Sequence, residues 1–280
     1  MSPAAGITIH HPDQKGGLMT RSHRFPYHLT ALLLVSLGAG VASAQLNDTG
    51  QATCYDGSSL VPCTIANTGD TATYPRQDGR LGRDAAATAG VLPKTGGGAA
   101  GFDFTPLAAD GSEIALTGNP PVPSQAPACI RDNHTNRIWE VKTDDGGLRD
   151  KDWTYTWYDG SSGSPGVTTT CNNTLGGTTP CNTQTYAAAV NAAGLCGYSS
   201  GWRPPTRREL LSIVHNGTFS PTIDTSYFPN TTSGWFWSAD TYAPIPTDAW
   251  LVIFNTGRTD NSPKDNDINV RLVRSEPPVP

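Results

Sequence analysis

"GWRPPTRRELLSIVHNG", residues 201–217, decides how this chain folds. Thr206 stands three residues before Glu209, the spacing of a capping box. The threonine oxygen takes an orphan amide of the first turn, and the glutamate reaches back to the threonine's own N–H. Pro204 and Pro205 hold the entering chain extended and exclude an earlier helical start. Leu210, Leu211 and Val214 then form a buried face, and Gly217 suits the exit. A second helix is predicted upstream in "NTQTYAAAVNAAGLCG". There Tyr186, Ala189, Val190 and Ala193 recur at helical spacing, with Asn182 or Thr183 as the cap and Gly194 as the stop. Around the two helices, "NRIWEVK", "WTYTWYD", "GWFWSADTY", "AWLVIFNTG" and "INVRLVRS" read as strands, being short aromatic and β-branched runs bounded by Gly, Asn and Asp. The order strand, helix, helix, strands implies an α+β domain with antiparallel pairing.

All seven tryptophans lie from Trp139 onward, whereas residues 45–125 hold only Tyr55, Tyr74, Phe102 and Phe104 as aromatics. The main core therefore belongs to the C-terminal half. The proline-rich "NPPVPSQAPA" reads as a stiff connector, which sets a boundary near residue 125. Residues 45–125 read as an irregular Gly/Ala/Thr-rich segment, 126–275 as the folded domain and 276–280 as a tail. Residues 1–44 have the pattern of a signal peptide, with translation starting at Met1 or Met19. Arg21, Arg24 and His28 precede the apolar run "ALLLVSLGAGV", and Ala42, Ser43 and Ala44 have the form that signal peptidase cuts. The run is shorter than the roughly 20 residues of a membrane span. The expectation is an exported protein without a membrane span, periplasmic, cell-surface or secreted.

Without residues 1–44 the chain carries 16 basic and 23 acidic residues, a net charge near −7. Such a chain is a poor nonspecific ligand for nucleic acid or anionic membranes. In an oxidising compartment its six cysteines read as disulfides. Six cysteines allow 15 pairings. Short loops favour Cys54 with Cys63 and Cys171 with Cys181, leaving Cys129 with Cys196.

"CIRDNHTNRIWEVK", "LRDKDWTYTWYDG", "NAAGLCGYSSGWRPPTRRELLSIV", "PTIDTSYFPN", "WFWSADTYA", "AWLVIFNTG" and "VRLVRS" occur in the order found in the Lcl C-terminal domain family of exported bacterial proteins. Residues 126–275 resemble that family, named for the end domain of a collagen-like adhesin. "QDGRLGRDAAA" followed by "GFDFT" resembles the leader that often precedes the domain. The family usually has leucine where this chain has Pro204. The helix block is also similar to the C-type-lectin-like and formylglycine-generating-enzyme fold. The resemblance thus implies a C-type-lectin-like, disulfide-stapled domain with two helices and a loop-rich antiparallel sheet. Nothing after Cys196 supplies the reactive cysteine pair of those oxidases, so their activity is not implied.

The exported part has two histidines, His134 and His215, and neither has metal-ligand spacing. His215 reads as a helix C-terminal residue and His134 as part of a turn. Asp144, Asp145, Asp150 and Asp152 lie amid Lys142, Arg149 and Lys151 and read as a mixed solvated turn. "TGGGAAG" at 95–101 lacks the Lys-Ser or Lys-Thr of a phosphate loop and reads as spacing. No catalytic constellation emerges, so the chain is read as noncatalytic. For "RTDNSPKDNDIN", residues 258–269, two readings stay open. Its oxygen-rich side chains suit calcium, with Asp265, Asn266, Asp267 and Asn269 as ligands, and the same residue types are turn formers. Trp235 and Trp237 share one strand face and read as core if buried or as a sugar-stacking surface if exposed; with Asp240, Tyr242, Asp248, Arg258, Asp260 and Asn261 they are the candidate ligand-binding residues. A glycan is the expected partner, with a cell-surface protein as the alternative.

Overall fold

The computed structural model describes residues 48–63 and 77–275. The signal-peptide reading of 1–44 and the tail 276–280 lie outside the described residues. In chain order the elements are β1 (Thr53–Tyr55), β2 (Leu60–Pro62), α1 (Asp78–Leu81), α2 (Arg83–Thr88), β3 (Phe104–Leu107), β4 (Leu116–Thr117), β5 (Val122–Pro123), β6 (Cys129–Asp132), β7 (Arg137–Glu140), α3 (Thr183–Ala193), α4 (Arg207–Leu211), β8 (Trp235–Thr241), β9 (Asp248–Ile253), β10 (Arg258–Pro263) and β11 (Val273–Ser275). All strand pairs are antiparallel. The main sheets have the orders β10-β9-β8 and β11-β7-β6-β3. The fold is α+β, stapled by Cys54–Cys63, Cys129–Cys196 and Cys171–Cys181. Two of these are the pairings that short loops favour, and Cys129–Cys196 is the pair left over.

Both predicted caps form. Asn182 accepts from the Thr185 amide at 2.9 Å, and α3 ends at Gly194 with φ 74°, a conformation that glycine adopts without strain. Thr206 Oγ1 accepts from the Glu209 amide at 3.2 Å, and Glu209 Oε2 accepts from the Thr206 amide at 2.8 Å. Helix α4 is nevertheless shorter than its apolar spacing suggests. Ser212 turns its hydroxyl back onto the Glu209 carbonyl at 2.6 Å, a local alternative to the helical ladder. Val214 is buried in the turn that follows, Leu211 is half-buried, and Gly217 belongs to a later turn instead of the helix exit.

Glu209 also binds Arg203 at 2.7 and 2.8 Å and Arg137 at 2.9 Å. Burial raises its carboxyl, but Arg203, the Thr206 amide and Arg137 outweigh that and hold it at about 2, against 4.5 ordinarily. The bound carboxylate therefore stabilises the fold fully above pH 4.5, and that contribution disappears as pH falls from 4.5 to about 2. Urea melts of Glu209→Gln should show a flatter acid limb across that window. An unchanged limb would show that the clamp contributes nothing to acid stability.

The two main sheets carry core on both faces. In β9, Ala249, Leu251 and Ile253 enter one cluster with Trp237, Tyr155, Tyr186 and Trp202. Val252 and Phe254 enter the other with Phe236, Trp139, Ile130 and Leu210. Side chains alternate along a strand, so a sheet buried on both sides reads as a continuous apolar run such as "AWLVIF". "WTYTWYD" is extended but forms no ladder. Tyr155 bridges Ile268, Thr156 bridges Asn182 and Tyr158 bridges Gly163. "INVRLVRS" is strand only at its end, β11. "NPPVPSQAPA" is no stiff connector. It contains β5, which pairs with β4, and Pro121 accepts from the Tyr227 hydroxyl at 2.9 Å. Sheet pairing also crosses residue 125, because β3 joins β6.

One group of ionisable side chains lies inside. Glu140 accepts from Lys142 Nζ at 3.3 Å, from the Tyr186 hydroxyl and from the Leu272 amide at 2.8 Å. Arg271 donates to the Glu140 carbonyl at 2.8 Å and to Thr231 at 2.6 Å, with its guanidinium beside the rings of Phe228 and Phe236. Desolvation lowers both cations, Arg271 to about 10, and Glu140 partly offsets it. Lys142, expected in a solvated turn, is thus 2 % exposed. Asp150 from the same turn is buried too, accepting from the amides of Asp145, Gly146 and Asp152.

Candidate functional site

Where β8 turns into β9 the chain "YAPIPTD" folds back on itself. The Tyr242 amide donates to Asp248 O and the Asp248 amide to Ile245 O, each at 2.9 Å. Beside it runs the turn that follows Trp157, shaped by Asp159, which accepts from the amides of Ser161 and Ser162. These amides hold the Asp159 carboxyl below its ordinary range, and Lys264 lowers it further. Between the two turns and the end of β10 lies a groove of about 450 Å³, within the 300–1,000 Å³ usual for small-molecule sites.

Polar side chains are set into the walls of the groove among apolar surface. Ser162, Ser164, Thr247, Asp248, Lys264 and Asp265 line it, with Pro246 and Pro263 as rigid shoulders. Lys264 is 4 % exposed. Its ammonium sits 4.0 Å from the centre of the Trp157 ring and donates to Thr241 Oγ1 at 3.0 Å and to Ser162 Oγ at 3.3 Å. The indole is itself fixed, with Nε1 donating to Ser238 O at 2.8 Å. An ammonium on hydroxyls and a π-face, with Asp248 in the same groove, suits a neutral ligand rich in hydroxyl groups.

Asp248 also leads to a ledge outside the groove. It accepts from Asn261 Nδ2 at 2.7 Å, and Asn261 stands opposite Trp250 in the β9–β10 register. Trp250 is half-buried, with Tyr242 edge-on at 4.7 Å and the Arg207 guanidinium 4.0 Å over its ring. Asp240 accepts from the Arg207 amide at 2.6 Å and so ties α4 to β8. Four predicted residues, Asp240, Tyr242, Asp248 and Asn261, therefore meet around Trp250. Neither Trp250 nor Lys264 was among the candidates in the sequence. A tryptophan inside an apolar run and a lysine inside an acidic one carry no local signal of exposure or burial.

The other predicted residues are not part of this arrangement. Trp237 is fully buried, its Nε1 donating to Tyr155 O at 2.9 Å, because this sheet has core on both sides. It therefore offers no stacking face. Trp235, 46 % exposed, stands opposite Ile253, and so does Arg258 from the other side. Asp260 stands opposite Leu251 and pairs with Arg258 at 3.8 Å. These three share the sheet face opposite to Trp250.

The predicted calcium loop is strand β10 over Arg258–Pro263, since its polar residues occupy a sheet edge. Asp265, Asn266 and Asp267 are exposed. Asn266 donates its amide to Ser262, and Asn269 donates to the carbonyls of Lys151 and Trp153. Among the described residues, the carboxylate groups close enough to share an ion lie elsewhere. His215 is past the helix and buried. Desolvation lowers its pKa, and Nδ1 accepts from the Gly217 amide at 3.0 Å. Neither His134 nor His215 makes a side-chain hydrogen bond to a carboxylate among the described residues.

Residues 128–274, more than half of the chain, match the family described as the Lcl C-terminal domain. No curated protein matches the chain. No solved structure does either.

Proposed function

We propose that this chain, which belongs to the Lcl C-terminal domain family, is an exported, noncatalytic binding protein that receives carbohydrate in the groove beside Lys264. The observation that carries the reading is the buried Lys264 ammonium held between the Trp157 ring and two hydroxyls, on a residue that lines a groove of about 450 Å³. Sugar hydroxyls accept from an ammonium and donate to a carboxylate, and Asp248 supplies the latter. The Tyr242–Trp250 ledge extends the site toward a second sugar ring. Three disulfides support an oxidising, extracytoplasmic setting, and no helix among the described residues is long and apolar enough to cross a membrane. The finer fold assignment, C-type-lectin-like, belongs to the same proposal. It is supported by helices α3 and α4, which share core clusters with short antiparallel sheets.

The full chain on a glycan array, with calcium and again with a chelator, tests this reading. Lys264→Met keeps the aliphatic stem over Trp157 and removes the charge. It should weaken binding about tenfold to a hundredfold, the range for a lost hydrogen bond to a charged group. Trp235→Ala, at the opposite end of β8 from the Thr241 that holds Lys264, should leave binding unchanged. An array without hits overturns the reading. A second reading, contact with a cell-surface protein, is favoured by the exposed Trp235 beside Arg258 and Asp260. It predicts the reverse: partner binding lost in Trp235→Ala and kept in Lys264→Met.

A further inference from the structure

Among residues that line no part of the groove, Asp48 comes together with Asp78, the first residue of α1, and Asp84, in the first turn of α2. One carboxylate oxygen of each lies within 4.8 Å of the others. Asp84 is fully buried and Asp48 is 8 % exposed. Asp84 Oδ1 accepts from the Gly101 amide at 2.9 Å. The Thr49 hydroxyl donates to Asp78 and lies 3.4 Å from Asp84 Oδ2. Asp48 Oδ2 is buried without any partner and points at Gly101, where a methyl group would come within 2.4 Å of it. The unpartnered oxygen thus faces the backbone that Asp84 holds. The nearby cations are engaged elsewhere. Arg83 Nε donates to Gly101 O, and Lys94 Nζ donates to the carbonyls of Gly98 and Ala100.

Two buried carboxylates with a third beside them, and no ion pair to any of them among the described residues, form an incomplete arrangement. Like charges out of water repel and lose hydration. Either a proton or a metal ion relieves the repulsion, and an all-oxygen set of carboxylates and a hydroxyl fits a hard divalent cation. We propose that Asp48, Asp78 and Asp84 bind a calcium ion, which clamps the chain entering β1 onto α1 and α2. The site is independent of the carbohydrate reading, and its readouts do not involve glycan.

Calorimetric titration of the full disulfide-bonded chain with calcium chloride after chelation, above neutral pH, is the first measurement. The thermal midpoint with calcium, with magnesium and with chelator is the second. One site is expected, with a midpoint raised by calcium. Asp84→Asn and Asp78→Asn should each abolish both signals. Asp78 is only partly buried, so circular dichroism can verify that Asp78→Asn is folded even if Asp84→Asn is not. Asp144→Asn, in the turn carrying Asp144, Asp150 and Asp152, should leave both signals intact. Absence of calcium heat and midpoint shift overturns the proposal. So does loss of binding in Asp144→Asn with retention in Asp78→Asn. A midpoint insensitive to calcium but raised by Asp48→Asn would assign the space to a shared proton, and also overturns it.

Discussion

Glu140→Gln should lower the unfolding free energy by about 3–5 kcal/mol, the loss expected when one partner of a buried ion pair is removed. Lys142 is 2 % exposed and Arg271 is fully buried, and Glu140 is the carboxylate that offsets the desolvation of both. Glutamine keeps the shape but leaves two cations inside without a counter-charge. The midpoint should fall on the order of 10 °C for a chain of this size. Lys142→Met should be milder, because Glu140 retains the Tyr186 hydroxyl and the Leu272 amide. Urea melts of both variants under oxidising conditions decide the matter. Equal and small losses would mean that water reaches the group and screens it.

Removing the Cys129–Cys196 bridge should rank next, at about 4 kcal/mol on the loop-entropy account, because it closes 67 residues. The Cys171–Cys181 bridge closes only 10 and should contribute about 3 kcal/mol. Both sulfurs of the longer bridge are buried in the first core cluster, where they join β6 to the turn after α3. Paired Cys→Ala variants, melted beside the parent chain, give the two values directly. If the short-loop variant lost more than the long-loop one, packing around the sulfurs would outweigh chain entropy here.

Local chemistry was legible in the sequence where a backbone group has one nearby partner. The Thr206–Glu209 box, the Asn182 cap, the Gly194 exit and the two short disulfide loops all act within ten residues or so of themselves. What failed depends on distant neighbours. The aromatic alternation in "WTYTWYD" reflects burial of Tyr155 and Trp157, yet each residue meets a different partner, so no ladder forms. The Asp/Asn run at 258–263 has turn-like composition, and pairing with β9 overrides it. Trp237 follows the core reading of its strand, since the apolar run of β9 signals a sheet covered on both faces, whereas Trp235 at the strand's end is exposed. The burial of Lys264 was not legible at all, because its partners Trp157, Ser162 and Thr241 come from three separate turns and strands.

The four-stranded sheet has a further consequence for how the molecule comes into being. Its two edges, β3 and β11, are separated by most of the described chain, and β11 lies at the far end. Val270, Leu272 and Val273 fill both core clusters, and Arg271 sits beside Glu140 between them. Until residues 268–275 have been made, neither cluster is complete, and no order of local assembly avoids waiting for them. Contacts of such long sequence separation make folding slow and late. Both core clusters therefore close in one late step, when the last described strand docks, however much local structure has formed before it.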